Sequence, residues 1–491
     1  QQLKQLGTDT ALYGISTIVG RFLNFLLVPF YTNVLAPGDY GVVSYVYSLI
    51  AFANVVYTYG MEISYMKYAT SLELGTKRQN FSTPLLSLAG TSITFTLLLI
   101  ALAPSLPSIL SLPSNLTTIL YYTAGILLFD TLTAIPFASL RLERKAKRFA
   151  LIKVLNIIIN VTMNVVLLVK FNLGVEGIFL SGFVSSALTV VMLLPTIKQH
   201  FSFEIDITLW KSLLKFGLPS IPAGLAGMML QVVDRPILKA LTDDATVGIY
   251  QANYRLGIFM MLFVSMFDYA WKPFMFSVAK EENAKEIFAR VLTYFTLAMA
   301  TVFIVLTFFI DDIARVSFFG HHLINERYWS GLDIVPVVLL SYVFLGMATT
   351  MSAGIYIEKK TKYNPPITIT AAAVNIAVNF LLIPIVGMAG AAWATLVAYF
   401  VMTVMTYFMT QRIYPVKYEW GRLGKIVVTT AVVILAEAII FAPNIEKLFK
   451  VLLVVIFFLL LGIMKFFGKG EISVIKQQMS KAKRSTLKID D

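Results

Sequence analysis

Long apolar runs separated by short polar turns recur along the whole chain. A membrane-crossing helix needs ~20 consecutive apolar residues, whereas a barrel strand alternates apolar and polar positions over ~10. The runs here do not alternate. Fourteen can be marked, at 10–33, 41–67, 81–103, 116–140, 149–171, 174–197, 213–240, 248–276, 288–310, 332–357, 365–386, 389–413, 423–441 and 448–467. The pattern predicts an all-α polytopic membrane protein with fourteen transmembrane helices. Very short turns join the fifth run to the sixth and the eleventh to the twelfth.

The punctuation between runs sets an orientation. With both ends on one side, 29 of the 40 lysines and arginines lie on that side, six lie opposite and five fall inside runs. The positive-inside rule then places both termini in the cytoplasm. The longest outer loop, 311–331, is short, so no soluble domain is expected.

Some features recur six runs apart. Asn160 and Asn164 precede a turn with Gly174 and Gly177; Asn375 and Asn379 precede one with Gly387 and Gly390. Tyr40-Gly41 opens the second run, and Gly248-Ile249-Tyr250 opens the eighth. An even offset keeps the orientation. It predicts two six-helix lobes in parallel repeat, residues 1–200 and 201–413, as in transporters with such repeats. Residues 414–467 add two helices, and 468–491 form a basic cytoplasmic tail beside anionic lipid.

Composition sharpens this reading. The chain is 58% hydrophobic and 14% charged, with a net charge of +13 and a mean hydropathy of +0.77. Soluble domains carry nearer ~25% charged residues. The basic residues lie between apolar runs, not on a soluble face, so nucleic acid is not an expected partner. No cysteine is present, which excludes disulfides and thiolate metal sites. The first run is too long for a signal-peptide core, so no cleavable signal is expected; Gln1 reads as a processed start or a boundary.

Candidate chemistry is sparse. The three histidines, His200, His321 and His322, lie in loops, and no nucleophile elbow, P-loop or HExxH motif occurs. The expectation is not an enzyme. The intramembrane charges are more informative, because a charge at bilayer depth costs ~3 kcal/mol and normally faces a cavity or a partner. Arg21 and Arg255 read as cavity groups, since guanidinium forks match phosphate, or else as partners of a nearby carboxylate such as Glu62, Asp234 or Asp268. Lys153 and Lys215 read either as cavity groups or as lysines paired locally or snorkelling to the surface. Asp234, Asn375, Asn379 and Thr395 read either as an oxygen-lined cation site or as hydrogen-bonding groups between helices. Gly217, Pro219 and Pro222, with Gly224 and Gly227, mark either a hinge or a static kink in the seventh helix.

Gly20-Arg21-Phe22-Leu23-Asn24, Leu35-Ala36-Pro37-Gly38-Asp39-Tyr40-Gly41, Gly60-Met61-Glu62, Phe216-Gly217-Leu218-Pro219, Asp234-Arg235 and Asn375…Asn379…Gly387 together resemble Wzx-type polysaccharide flippases. These belong to the multidrug/oligosaccharidyl-lipid/polysaccharide superfamily, and the resemblance covers essentially the whole chain. It implies a bacterial inner-membrane flippase moving an undecaprenyl-pyrophosphate-linked oligosaccharide from the cytoplasmic to the periplasmic leaflet. Such a protein would serve O-antigen, capsule or exopolysaccharide synthesis beside membrane lipids and polysaccharide polymerase or assembly proteins. It implies substrate contacts at Arg21, Asn24, Lys67, Lys153 and Arg255. Related MurJ-type lipid II flippases carry a further arginine along the first helix, where this chain is uncharged around Leu27. The resemblance also implies Na+ or H+ as coupling ion, with no other cofactor, at Asp234, Asn375, Asn379 and Thr395, although Asn379 stands where a carboxylate can occur. The other readings are a drug or metabolite exporter of the same superfamily and a glycan polymerase or ligase.

Overall fold

A computed structural model describes residues 20, 22–23, 25–113, 116–318, 320–440 and 447–468. Arg21, Asn24 and the tail beyond 468 lie outside the described residues. Almost everything described is helix. Ten helical stretches are long and apolar enough to cross a membrane, and the chain is a multi-pass membrane protein.

The helices in order are α1 Phe25–Val34, α2 Pro37–Thr58, α3 Met61–Ser71, α4 Lys77–Leu102, α5 Leu106–Ile109, α6 Thr117–Leu142, α7 Ala146–Val165 and α8 Gly174–His200. There follow α9 Ile207–Gly217, α10 Ile221–Val232, α11 Asp234–Leu241, α12 Asp244–Tyr254, α13 Ile258–Val278 and α14 Ala284–Arg315. The last are α15 Val335–Met351, α16 Ala353–Ile357, α17 Asn364–Val386, α18 Met388–Ile413, α19 Trp420–Ile440 and α20 Lys447–Ile463. A two-stranded hairpin, β1 Ser317–Phe318 with β2 His321–His322, follows α14.

Local chemistry starts several helices where apolar periodicity alone would not. Thr76 and Gln79 form a reciprocal capping box ahead of α4. Asp206 caps α9 by accepting from the amides of Thr208 and Leu209, and Asp243 caps α12 by accepting from Thr246 N–H. The seventh run therefore begins at Ile207, earlier than its apolar pattern suggests.

Four expected spans are interrupted. The stretch 35–41 is not wholly a turn, because Pro37 supplies a helix-ready φ and α2 begins there. α2 stops at Tyr59 and Gly60, both left-handed, before α3 resumes. The seventh run breaks twice, at a 3-10 turn over Leu218–Ser220 and again at Val233. The eighth breaks at a 3-10 turn over Arg255–Gly257, and the tenth at Ser352 between α15 and α16. Apolar periodicity does not register such breaks, because the side chains on either side are equally apolar.

α2 packs along α10 and α12, and α3 against α9, so the first 200 residues and those that follow share a long contact. Two glycine pairs set its closeness. A β-carbon on Gly41 would lie 1.7 Å from the Asp244 carbonyl oxygen, and one on Gly248 would lie 1.9 Å from that of Pro37. At the other end of α2, a β-carbon on Gly60 would lie 2.4 Å from the Gly217 oxygen, and Ser64 O–H donates to the Leu213 carbonyl at 2.9 Å. α19 and α20 pack on each other and on α14, with Lys450 paired to Asp312 at 2.8 Å.

Candidate functional site: a polar cavity between the halves

Between the halves lies a cavity of about 1180 Å³. Its charged lining among the described residues is Glu62, Asp130, Arg141, Lys153, Arg235 and Arg255, four basic groups against two acidic. The N-terminal half contributes a hydrogen-bonding wall. Ser186 O–H donates to Asp130 at 2.7 Å, and Asn156 donates to Thr189 Oγ1 at 2.8 Å. Glu62 and Arg141 form an ion pair on this wall. The C-terminal half contributes Gln231, Gln251 and a group of tyrosines, Tyr254, Tyr342 and Tyr399.

The expected substrate residues separate. Arg255 faces the cavity, exposed, on the 3-10 turn between α12 and α13, and makes no hydrogen bond or ion pair among the described residues. Lys153 also lines the cavity, lying 4.2 Å over the Phe137 ring and interacting electrostatically with Asp130. Lys67 is not in the cavity lining. It is exposed and lies 4.2 Å over the Phe216 ring on α9. Lys215 is exposed as well.

The expected hinge residues surround a real break. Gly217 ends α9, Pro219 lies inside the 3-10 turn, and Pro222 opens α10, where its missing N–H is tolerated. Gly217 is also pressed against α3, since a β-carbon there would lie 2.7 Å from Ser64 Oγ.

Asp234 does not sit late in a continuous helix; it begins α11. Pro236 cannot donate a helical hydrogen bond, so the ladder is interrupted here. The Arg235 amide turns to Asp234 Oδ1 at 3.0 Å, and the Gln231 carbonyl is taken by Arg235 Nη1 at 2.6 Å. Nη1 also donates to Asp234 Oδ1 at 2.5 Å, and Tyr250 O–H donates to Oδ2 at 2.5 Å. Arg235 Nε donates to Gln251 Oε1 at 3.0 Å, and the guanidinium lies 4.3 Å from the Tyr254 ring centre. Asp234 and Arg235 are 3% and 4% exposed, so this is a buried ion pair set into the cavity wall at Arg235. The sequence reading gave Arg235 no substrate role. The proline after it and the tyrosine pair Tyr250/Tyr254 one helix on were the available signals.

Asn375, Asn379 and Thr395 are all buried. Asn379 donates to the Asn375 side-chain oxygen at 2.9 Å, and Thr395 donates to the Ala391 carbonyl at 3.2 Å. Asn379 Oδ1 is buried without a partner. As a test for a cation, the set does not fit in this conformation. The only carboxylate is already neutralised by Arg235, and of the amide oxygens only that of Asn379 stands free. Asn160 and Asn164 repeat the amide pattern at 3.1 Å, but there Asn164 Oδ1 accepts from Tyr31 O–H at 2.9 Å.

The loop with His321 and His322 bridges the two halves. Tyr328, fully buried, donates to the Leu35 carbonyl at 3.1 Å, while the Asn253 side chain donates to the Tyr328 carbonyl at 2.8 Å. Asn33 donates to the His322 carbonyl at 2.8 Å.

The described helices of the two halves line a net-positive cavity, and solved structures share this fold. The fold is similar to a lipid II flippase MurJ in an inward closed conformation, with a TM-score of 0.74, 17% identity, and coverage of 92% of this chain and 98% of that one. It is similar to an inward-facing multidrug resistance MATE family transporter of the MOP superfamily, at 0.63 and 15%, covering 80% and 94%. The Vibrio cholerae MATE transporter VcmN in its bent form is similar at 0.55 and 13%, covering 84% and 96%. No curated protein sequence matches the chain. Residues 32–318, more than half the sequence, match the model of the polysaccharide biosynthesis protein family, and the chain belongs to that family.

Proposed function

We propose that the chain is a flippase for pyrophosphate-linked oligosaccharide lipids. It carries the undecaprenyl-linked repeat unit from the cytoplasmic to the periplasmic leaflet of a bacterial inner membrane. The observation that carries this reading is Arg255, a guanidinium without an ion-pair partner among the described residues, facing a cavity with four basic and two acidic lining groups. A pyrophosphate diester brings about two negative charges, which such a lining complements. The hydrogen-bonding wall opposite suits sugar hydroxyls. Family membership supports polysaccharide biosynthesis, and the fold likeness to MurJ supports movement of a lipid-linked substrate.

The architecture belongs to the same proposal: fourteen helices, both termini cytoplasmic, two six-helix lobes in parallel repeat, and the last hairpin outside the cavity as a groove for the lipid tail. The Gly41 and Gly248 contact supports the repeat, because it is self-complementary. Pro37 and Gly41 meet Gly248 and Asp244 with the same four-residue spacing on each side. A pseudo-twofold axis through that point produces such a contact.

Outward movement of two charges from a negative interior gains ~2.3 kcal/mol per charge per 100 mV, roughly 5 kcal/mol in all. Dependence on a Na+ or H+ gradient is a separate proposal, tested by transport into vesicles with imposed gradients. For the flippase reading, Arg255→Gln in cells is the test. Glycan export should fall at least tenfold with the protein still in the membrane, and cytoplasmic-leaflet glycolipid should accumulate. Normal export would refute it.

A further inference from the structure

We infer that Arg235 is a second contact for the pyrophosphate, held in reserve by Asp234 as its resting counter-ion. The inference rests on the flippase reading above and names a residue and an exchange that it lacks.

Arg235 lines the cavity, yet its residue exposure is only 4%. Nε and Nη1 are engaged by Gln251, Gln231 and Asp234, whereas Nη2 makes no hydrogen bond among the described residues and is not among the fully buried unpartnered atoms. One tooth of the guanidinium fork is therefore free on the residue that meets the cavity. Arg255 lies one helix on, and both arginines interact electrostatically with Tyr40 and Tyr342, so their fields overlap in one region. A pyrophosphate has two charged groups and can engage two guanidinium planes at once.

Asp234 competes for the same cation. A buried ion pair is weak evidence for stability, because desolvation offsets the attraction. This one has further support, since Tyr250 O–H holds Asp234 Oδ2 and fixes the carboxylate while the arginine exchanges partners. When the headgroup enters, Arg235 shifts its Nη1 bond from Asp234 toward phosphate oxygen, and the α10–α11 junction that depends on that bond is loosened. Empty cavity and filled cavity thus differ at a helix break, which gives the substrate a differential contact with two conformations.

The test is binding of farnesyl pyrophosphate to the purified full chain in detergent, with thermal unfolding of each variant as the folding control. Parent protein should bind, and Arg255→Gln should weaken binding. Arg235→Gln should weaken it about tenfold, whereas Asp234→Asn should tighten it by roughly the same factor, because the competing counter-ion is gone. Arg235→Lys should recover little, since an ammonium lacks the fork. If Arg235→Gln does not fold, the double variant Asp234→Asn with Arg235→Gln buries no lone charge and should bind as weakly as expected for the single one. A merely structural pair predicts lower unfolding temperatures, no tightening in Asp234→Asn, and a double variant that binds like the parent; any of the last two overturns the inference while leaving the flippase reading in place. If the parent does not bind the probe, the flippase reading itself fails, and the inference with it.

Discussion

Replacing Gly41 by alanine tests whether the seam between α2 and α12 opens and closes during transport. The added methyl would lie 1.7 Å from the Asp244 carbonyl oxygen and 2.6 Å from its carbon, both backbone atoms that cannot rotate away. Ordinary contact begins near 3.4 Å, so the helices must separate locally by about 1.5–2 Å. Overpacking of this kind costs about 1–3 kcal/mol. Because the cost falls only on the closed seam, it moves a two-state equilibrium toward the open seam by roughly 5- to 150-fold. The chain has no cysteine, which makes the assay direct. A single Ser48→Cys probe in the cavity lining is labelled with a membrane-impermeant maleimide added from the side of residues 37–41. Labelling should accelerate in Gly41→Ala, and export should fall, with Gly248→Ala behaving alike because its contact with Pro37 is equivalent. Unchanged labelling together with parental export would refute the argument that this seam is a moving gate.

Other outcomes follow from the same geometry. Glu62→Gln or Arg141→Gln alone should destabilise the protein by up to about 1 kcal/mol, since both side chains are more than a third exposed, and the double neutral variant should regain part of it in a double-mutant cycle of thermal unfolding. Asn164→Ala should lower stability by ~0.6 kcal/mol or more because it strands the Tyr31 hydroxyl as well, whereas Asn379→Ala removes an oxygen that has no partner and should cost less. His321→Ala with His322→Ala should leave export unchanged, since the loop contributes the His322 carbonyl and Tyr328 to the bridge between the halves, not imidazole chemistry. Lys67→Gln should change export little, because that lysine lies over Phe216 outside the cavity.

Much of the fold was legible because membrane insertion demands apolar length, and the boundaries of 174–197 and 389–413 agree closely with α8 and α18. Polar interruptions were harder to place. The Tyr59-Gly60 break depends on left-handed backbone packed against Gly217, a contact 157 positions away in the chain. The cavity was foreseen from charge at bilayer depth, and Arg255 and Lys153 lie in its wall. Arg235 was overlooked as a substrate group because an adjacent aspartate looked sufficient to explain it. Its position on the cavity depends on Pro236 and on the interruption of the helix. Asp234 was read either as a cation ligand or as a hydrogen-bonding group between helices; here it is paired with Arg235 and bonded by Tyr250.

The most direct test of the central claim is leaflet exchange in reconstituted vesicles. Full-length protein is incorporated with a pyrophosphate-linked oligosaccharide lipid in both leaflets, and an impermeant glycosidase is added outside. The account predicts that the parent exposes nearly all of the lipid to cleavage at a rate well above protein-free vesicles, while Arg255→Gln leaves the inner-leaflet half protected. Parent vesicles no faster than empty ones, or an Arg255→Gln protein that exchanges lipid like the parent, would contradict it.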